Sequence, residues 1–197
     1  MRYWSATLIS VTILMGCGGS DSSNIEIISD LIDVESIITE EVESIIESSE
    51  VNYSLISCED DLVSVLTLIN AKRAEAQVCG EDSFGPVAGV TWNSALTLAT
   101  EEHSANMANY DFFAHTGLDG DTVATRVTDQ GYSWSYVAEN IATGQTSAEQ
   151  VVDGWMSSDG HCRNIMNEDV TEMGLACVAN SSASYPYYWT QVFASPL

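Results

Sequence analysis

The sequence predicts an α+β domain that follows an N-terminal export signal. Apolar residues recur at spacings of three and four in residues 62–73 and 93–109, which is typical of helices packed against a core. Near the C-terminus, residues 187–193 are rich in aromatic and β-branched side chains, which favour a central strand. A chain of 197 residues has room for one domain of ordinary size and additional segments.

The charge of the chain excludes one large class of function. Five Lys and Arg residues stand against 29 Asp and Glu residues, which gives a formal net charge of −24. A nucleic-acid-binding surface needs a basic stripe to meet the phosphates, and five cations cannot supply one. We therefore expect no nucleic-acid partner, and anionic lipid surfaces are disfavoured for the same reason.

The first 16 residues are typical of a signal peptide. Arg2 gives a positive end, and the apolar run at residues 8–15 is too short to span a bilayer. The sequence from Leu14 to Cys17 resembles the lipobox of bacterial lipoproteins. This resemblance implies cleavage before Cys17, lipid on that cysteine and, because Gly18 follows, an outer-membrane lipoprotein of the cell envelope. The alternative is an ordinary signal peptide, with an incidental cysteine and a secreted product.

An acidic tether at residues 17–57 is expected between the anchor and the domain. Residues 21–61 contain no Lys, Arg or Gly, and their isoleucines recur at helical spacings. Like charges and β-branched residues weaken a helix, so we interpret the segment as a spacer. The alternative is an amphipathic helix that docks in the groove of a partner.

The domain, residues 58–197, is predicted to begin with helices and to have its clearest strands near the C-terminus. The first helix begins near Asp60 and ends before Cys79, with a loop at residues 80–90. Asn93 caps the second helix, and Ser147 opens a later one. Further elements are a short helix at 123–130 and strands at 173–179 and 187–193. Residues 132–136 form a strand or lead into one.

Four cysteines remain for the mature domain in an oxidising compartment. Four cysteines allow three pairings, and the pairing of sequence neighbours is preferred here: Cys58 with Cys79, and Cys162 with Cys177. A cysteine metal site is less favoured, because no two cysteines have the C-x-x-C spacing.

The three histidines are candidates for a site. Gly160 precedes His161, and we expect a sharp bend that holds this imidazole at a loop tip. His115 lies in a second loop, between aromatic residues and a Gly-Asp turn. His103 falls on the inner stripe of the second helix, which favours a buried, hydrogen-bonded histidine bordering the site over a ligand.

Glu139 is the strongest physical indication of a site. It lies in the apolar run at residues 137–142, where an unpaired charge would be costly. Its partner is therefore a histidine, Arg163, Arg126, backbone amides or a metal ion.

Several segments, taken in order, resemble the CAP superfamily (cysteine-rich secretory, antigen 5 and pathogenesis-related 1 proteins). The resemblance covers about residues 60–195, and its closest look-alikes are secreted bacterial members. The matching segments are Leu68-Ile69-Asn70 with Arg73, Thr91-Trp92-Asn93 with Leu96, residues 99–107 with His103, Phe113-Ala114-His115-Thr116, residues 138–142, Trp155 with Gly160-His161, and residues 188–193.

This resemblance implies an α-β-α sandwich with a central, mainly antiparallel sheet flanked by helices. It also implies a cleft of two histidines and two acids, which in some members holds zinc or another divalent cation. His115, Glu139 and His161 match three of the four positions. The place of the second acid is Ser158; Asp159 or Glu149 would be a substitute, but nothing in the sequence places either there.

Two functions compete for this cleft. The first is a non-enzymatic module whose cleft binds a small ligand, a metal ion, a lipid or a protein partner; His115, His161 and Glu139 are the candidate metal ligands. The second is a metal-assisted hydrolase of an envelope or extracellular substrate. The sequence offers no convincing nucleophile and lacks the second acid, so we favour the binding module. Glu139 orienting a histidine by hydrogen bonding is the alternative to direct metal coordination.

Overall fold

The computed structural model describes residues 59–197, with side chains from residue 62 onward. The signal peptide, Cys17, the tether at residues 17–57 and Cys58 lie outside this part of the chain. Within it, no helix is long and apolar enough to cross a membrane.

Five helices and six strands make up the described part. The helices are α1 (Glu59–Arg73), α2 (Ser94–Tyr110), α3 (Val123–Asp129), α4 (Ala148–Met156) and α5 (Asp159–Met166). The strands are β1 (Gln77–Cys79), β2 (Asp82–Phe84), β3 (Thr91–Trp92), β4 (Trp134–Thr143), β5 (Glu172–Ala179) and β6 (Tyr187–Pro196).

The main sheet has four strands in the order β3-β5-β6-β4. Strand β6 pairs antiparallel with both β4 and β5, and only the short β3 is parallel to its neighbour. Side chains of β6 alternate between two cores: Trp189 and Phe193 pack with α1, α4 and α5, whereas Val192 packs with α2 and α3. The fold is therefore the expected α-β-α sandwich with a mainly antiparallel sheet.

Helix α2 confirms the expected stripe and lies unusually close to the sheet. Asn93 caps it by accepting hydrogen bonds from the backbone amides of Ala95 and Leu96. Gly174 of β5 lies directly beneath the first turn, where an added Cβ would be 2.3 Å from the carbonyl carbon of Leu96. A glycine at position 174 is thus required by the approach of the two backbones.

Helix α1 ends earlier than predicted, and its last residue joins three segments of the chain. The residues predicted as the end of the helix and the start of a loop form the β1–β2 hairpin instead, which turns at Gly80 with a positive φ of 65°.

Arg73 is fully buried, and its guanidinium donates to the carbonyls of Ala88, Ile165, Asn167 and Val170. These four bonds hold the segment after the hairpin against the end of α5.

The segment around His161 is a helix and not the expected loop. Gly160 is not among the glycines with positive φ, and His161 lies in the first turn of α5. Cys162, Ile165 and Met166 have helical spacing and are buried in the core. Burial of this stripe explains why the segment is helical despite its glycine.

Both predicted disulfides, Cys58 with Cys79 and Cys162 with Cys177, are wrong. Cys162 is bonded to Cys79, with a Cα–Cα distance of 5.5 Å across a sequence separation of 83. The reason is that α5 packs against the β1–β2 hairpin, which was not foreseen as an ordered element. Cys177 is also disulfide-bonded.

Candidate functional site

Glu139 lies on β4 with its carboxylate buried, the side chain being 2% exposed. One oxygen, Oε1, accepts a hydrogen bond from Nδ1 of His115 at 2.8 Å. The other, Oε2, accepts from Nη2 of Arg126 at 2.7 Å. The buried charge therefore has a cation and an imidazole as partners, both among those considered from the sequence.

Arg126 of α3 continues this chain of charges. Its guanidinium is also only 2% exposed, and Nη1 donates to Oδ2 of Asp121 at 2.7 Å. Nη2 additionally donates to the backbone carbonyl of His115 at 3.2 Å. Arg126 thus fixes both Glu139 and the backbone of the loop that carries His115. The sequence analysis did not identify Asp121 as a site residue. The only indication was its position in the Gly-Asp loop before α3.

The contact with Glu139 determines the tautomer of His115. A carboxylate can only accept, so Nδ1 carries the hydrogen and, in the neutral ring, Nε2 holds the lone pair. The side chain of His115 is 57% exposed, in contrast to its buried partner. The arrangement presents an oriented imidazole at the protein surface.

His161 lies close enough to His115 for the charge of one ring to affect the pKa of the other. Its side chain is half-buried, and its backbone carbonyl accepts from Nδ2 of Asn140 at 3.3 Å. Burial lowers the pKa of His161, and the positive charge of a protonated His115 lowers this pKa further. His161 therefore favours its neutral form, in which a ring nitrogen can bind a cation or accept a hydrogen bond.

Side-chain amides join α5 to the sheet beneath this cleft. Nδ2 of Asn164 donates to Oδ1 of Asn140 at 2.8 Å and to the carbonyl of Glu139 at 3.2 Å. Asn140 in turn donates to Oε1 of Gln191 on β6 at 3.0 Å. None of the three was singled out from the sequence, because a polar side chain gives no sign of its long-range partner. This network sets the position of α5, and with it that of His161.

His103 lies behind the loop that carries His115. It is fully buried on α2, and its Nε2 donates to the backbone carbonyl of Ala114 at 2.9 Å. Burial is the main cause that lowers the pKa of His103. The neutral ring therefore anchors the residue next to His115.

Within residues 62–197, neither substitute considered from the sequence is brought to the place of the second acid. Ser158 is the N-cap residue of α5, without a side-chain capping bond. Asp159 lies against Gly80 of the hairpin turn, and Glu149 is exposed in the first turn of α4.

The imidazoles of His115 and His161 are ligand types that suit a divalent cation such as zinc. Zinc accepts neutral histidine, and a histidine ligand commonly donates its other ring hydrogen to a carboxylate, as His115 does to Glu139. Both oxygens of Glu139 are engaged by His115 and Arg126, so this carboxylate suits an orienting role. Among the described residues, no group of three or more His, Cys, Asp and Glu side chains is arranged to hold a metal ion.

Comparison with known proteins identifies the family. Residues 66–193 match the CAP family, described as the cysteine-rich secretory protein family, and the chain belongs to it. Over 101 residues, 51% of this chain, it is 32% identical to the uncharacterized protein YkwD of Bacillus subtilis. It is 25% identical over 89 residues, 45% of this chain, to the uncharacterized membrane protein YlbC of the same organism. The match spans only 37% of YkwD and 26% of YlbC.

Two solved structures have the same fold. An outer surface protein of Borrelia burgdorferi superposes with a TM-score of 0.60 at 17% identity, covering 72% of this chain and 97% of that one. A cysteine-rich secretory protein from Staphylococcus aureus gives a TM-score of 0.50 at 17% identity, covering 70% and 40%. At these identities, the likeness shows the fold alone.

Proposed function

We propose that this CAP domain is a non-enzymatic binding module, whose ligand contacts the imidazoles of His115 and His161. The observation that carries the proposal is the double engagement of Glu139, at 2.8 Å by His115 and at 2.7 Å by Arg126. A carboxylate that is 2% exposed and bound on both oxygens orients an imidazole and is poorly placed to act as a general base on a ligand.

The cysteines support the same conclusion. Cys79 and Cys162 are bonded to each other, and Cys177 is also in a disulfide, so none of the three supplies a thiolate nucleophile. Glu139 and the oxidised cysteines therefore both favour binding over covalent catalysis.

We further propose that the ligand includes a divalent cation, zinc being the best fit to two neutral imidazoles. His115 and His161 would hold it, while Glu139 and Arg126 would orient His115. A bound zinc ion supplies Lewis acidity and lowers the pKa of its water, which is the basis of the alternative, hydrolytic function.

Zinc titration of the full chain by calorimetry tests this assignment. The double variant His115→Ala/His161→Ala should lose stoichiometric binding. Glu139→Gln should retain the site with affinity reduced about 10- to 100-fold, as for an orienting partner. If Glu139→Gln abolishes binding as completely as the double variant, Glu139 is a direct ligand. If the intact chain binds no zinc at micromolar concentration, the cation part of the proposal is wrong.

We propose that the domain acts outside the cytoplasm, anchored through lipid on Cys17 to the outer membrane. The disulfide is consistent with an oxidising compartment, and two structural relatives are described as an outer surface protein and a secretory protein. Incorporation of a labelled fatty acid, lost in Cys17→Ala, tests the anchor. An unlabelled wild-type protein in the culture medium would indicate an ordinary signal peptide.

A further inference from the structure

A second concave site lies on the domain, and of the residues described for the histidine cleft it shares Asn164, whose side-chain amide joins α5 to the sheet. This groove, named here the hairpin–α5 groove, runs between residues 83–87, which end and follow β2, and residues 160–169 of α5 and the loop after it. Its volume is about 760 Å³, which lies within the range of ligand pockets. His115, Glu139 and His161 are not among the described residues that line it.

The two sides of the groove are held together by three independent links. The disulfide joins Cys79 of the hairpin to Cys162 of α5. Arg163 donates to Asp82 at 2.6 Å across the same gap. Arg73 binds the carbonyl of Ala88 on one side and that of Asn167 on the other. A groove held in this way is preorganised, so a ligand would lose little free energy in ordering it.

The inside of the groove has apolar side chains and two glycines whose backbone faces free space. Phe84, Val87 and Tyr136 are half-buried there, beside the buried Met166. Glycines lie on both sides, and a Cβ added at Gly85 or Gly160 would meet nothing within 4 Å. The groove can therefore take an apolar side chain and also admit a second backbone close to its own.

The charge at the groove is negative. Arg163 is paired with Asp82, whereas no ion pair among the described residues involves Glu168 or Asp169, both of which are exposed. The net charge of −24 adds to the attraction for cations. An occupant with matching chemistry carries positive charge beside apolar side chains.

We propose that the hairpin–α5 groove binds a basic, amphipathic peptide segment. Its aliphatic or aromatic side chains would contact Phe84, Tyr136 and Met166. Its Lys or Arg side chains would face Glu168 and Asp169, and its backbone would pass Gly85 and Gly160. This proposal does not depend on metal binding in the histidine cleft.

The test uses the full chain and two fluorescein-labelled hexapeptides, Lys-Phe-Lys-Leu-Lys-Phe and Glu-Phe-Glu-Leu-Glu-Phe, in fluorescence anisotropy. The lysine peptide should bind and the glutamate peptide should not. Gly85→Phe places a ring in the open part of the groove and should weaken binding about tenfold or more. Gly154→Phe, a matched change on α4, should alter affinity less than about twofold.

Charge reversal tests whether the lysine peptide binds at the groove or is attracted to the acidic protein as a whole. Glu168→Lys/Asp169→Lys should weaken binding about tenfold at low salt, whereas Glu101→Lys/Glu102→Lys on α2, across the sheet, should change it little. Circular dichroism checks that each variant is folded. The proposal is overturned if the lysine peptide does not bind at millimolar concentration, if Gly85→Phe binds it like the wild type, or if both charge reversals weaken it equally.

Discussion

Removal of the disulfide between Cys79 and Cys162 should cause a large loss of stability. The bond closes a loop with a sequence separation of 83, for which chain entropy gives about 4.6 kcal/mol at 25 °C. A bridge between Cys162 and Cys177 would have closed a much shorter loop, worth about 3 kcal/mol by the same relation. Both sulfurs are buried, so their removal adds a packing cost.

The double variant Cys79→Ala/Cys162→Ala measures this effect without leaving a free thiol from the pair. Guanidinium unfolding can be followed by tryptophan fluorescence, because Trp155 and Trp189 are fully buried. We expect a decrease of about 4–5 kcal/mol in the free energy of unfolding. We also expect the free energy of unfolding to fall more steeply with denaturant concentration, because the unfolded chain without the bridge exposes more surface.

A matched variant breaks a non-covalent link between the same two elements. Asp82→Ala/Arg163→Ala removes a pair whose side chains are 57% and 43% exposed, and it should cost less than about 1 kcal/mol. If the cysteine variant also loses less than about 1 kcal/mol, the chain-entropy argument does not apply to this domain. An unchanged denaturant slope would refute the proposed effect on the unfolded state.

Two further predictions concern single side chains. Arg73→Lys should destabilise the domain by about 2–4 kcal/mol in urea unfolding, because one ammonium cannot reach four carbonyls in three segments; a loss under about 1 kcal/mol would contradict this. The pKa of Asp111 lies below its ordinary value of 3.8, because its carboxylate accepts from the backbone amide of Ser184, the Ser184 hydroxyl and the Tyr188 hydroxyl. Its stabilising contribution is therefore complete above that ordinary value and is lost as the pH falls through the lowered pKa. Unfolding measured at pH 6 and pH 2.5 should show a smaller acid-induced loss in Asp111→Asn than in the wild type, and equal losses would count against the assignment. Asparagine also tolerates the φ of 51° at this position.

Local patterns in the sequence predicted much of the fold. Asn93 and the apolar stripe after it define α2, because a cap and a helical period depend on neighbours within a few turns. The strands at residues 173–179 and 187–193 were likewise visible from their composition. The buried charge of Glu139 required a partner wherever it lay, and Arg126 and a histidine were among the few candidates.

The remaining features depend on contacts between distant segments. The disulfide follows from the packing of α5 on the hairpin, which the order of the cysteines does not encode. Gly160 suggested a bend, but burial of Cys162 and Ile165 determined a helix. Likewise, the sequence named Arg73 only as part of a family motif, whereas its four carbonyl partners come from segments that only the folded chain brings together.

Gly174 connects the packing of the sheet to the histidine cleft. The backbone of α2 packs directly against the Cα of Gly174, so the helix is as close to the sheet as the two backbones allow. Further along the same helix, His103 holds the carbonyl of Ala114, beside His115. A side chain at position 174 would raise the helix and shift the backbone of Ala114, next to His115. Natural selection on the position of His115 would therefore act on Gly174, a strand residue beneath the first turn of the helix.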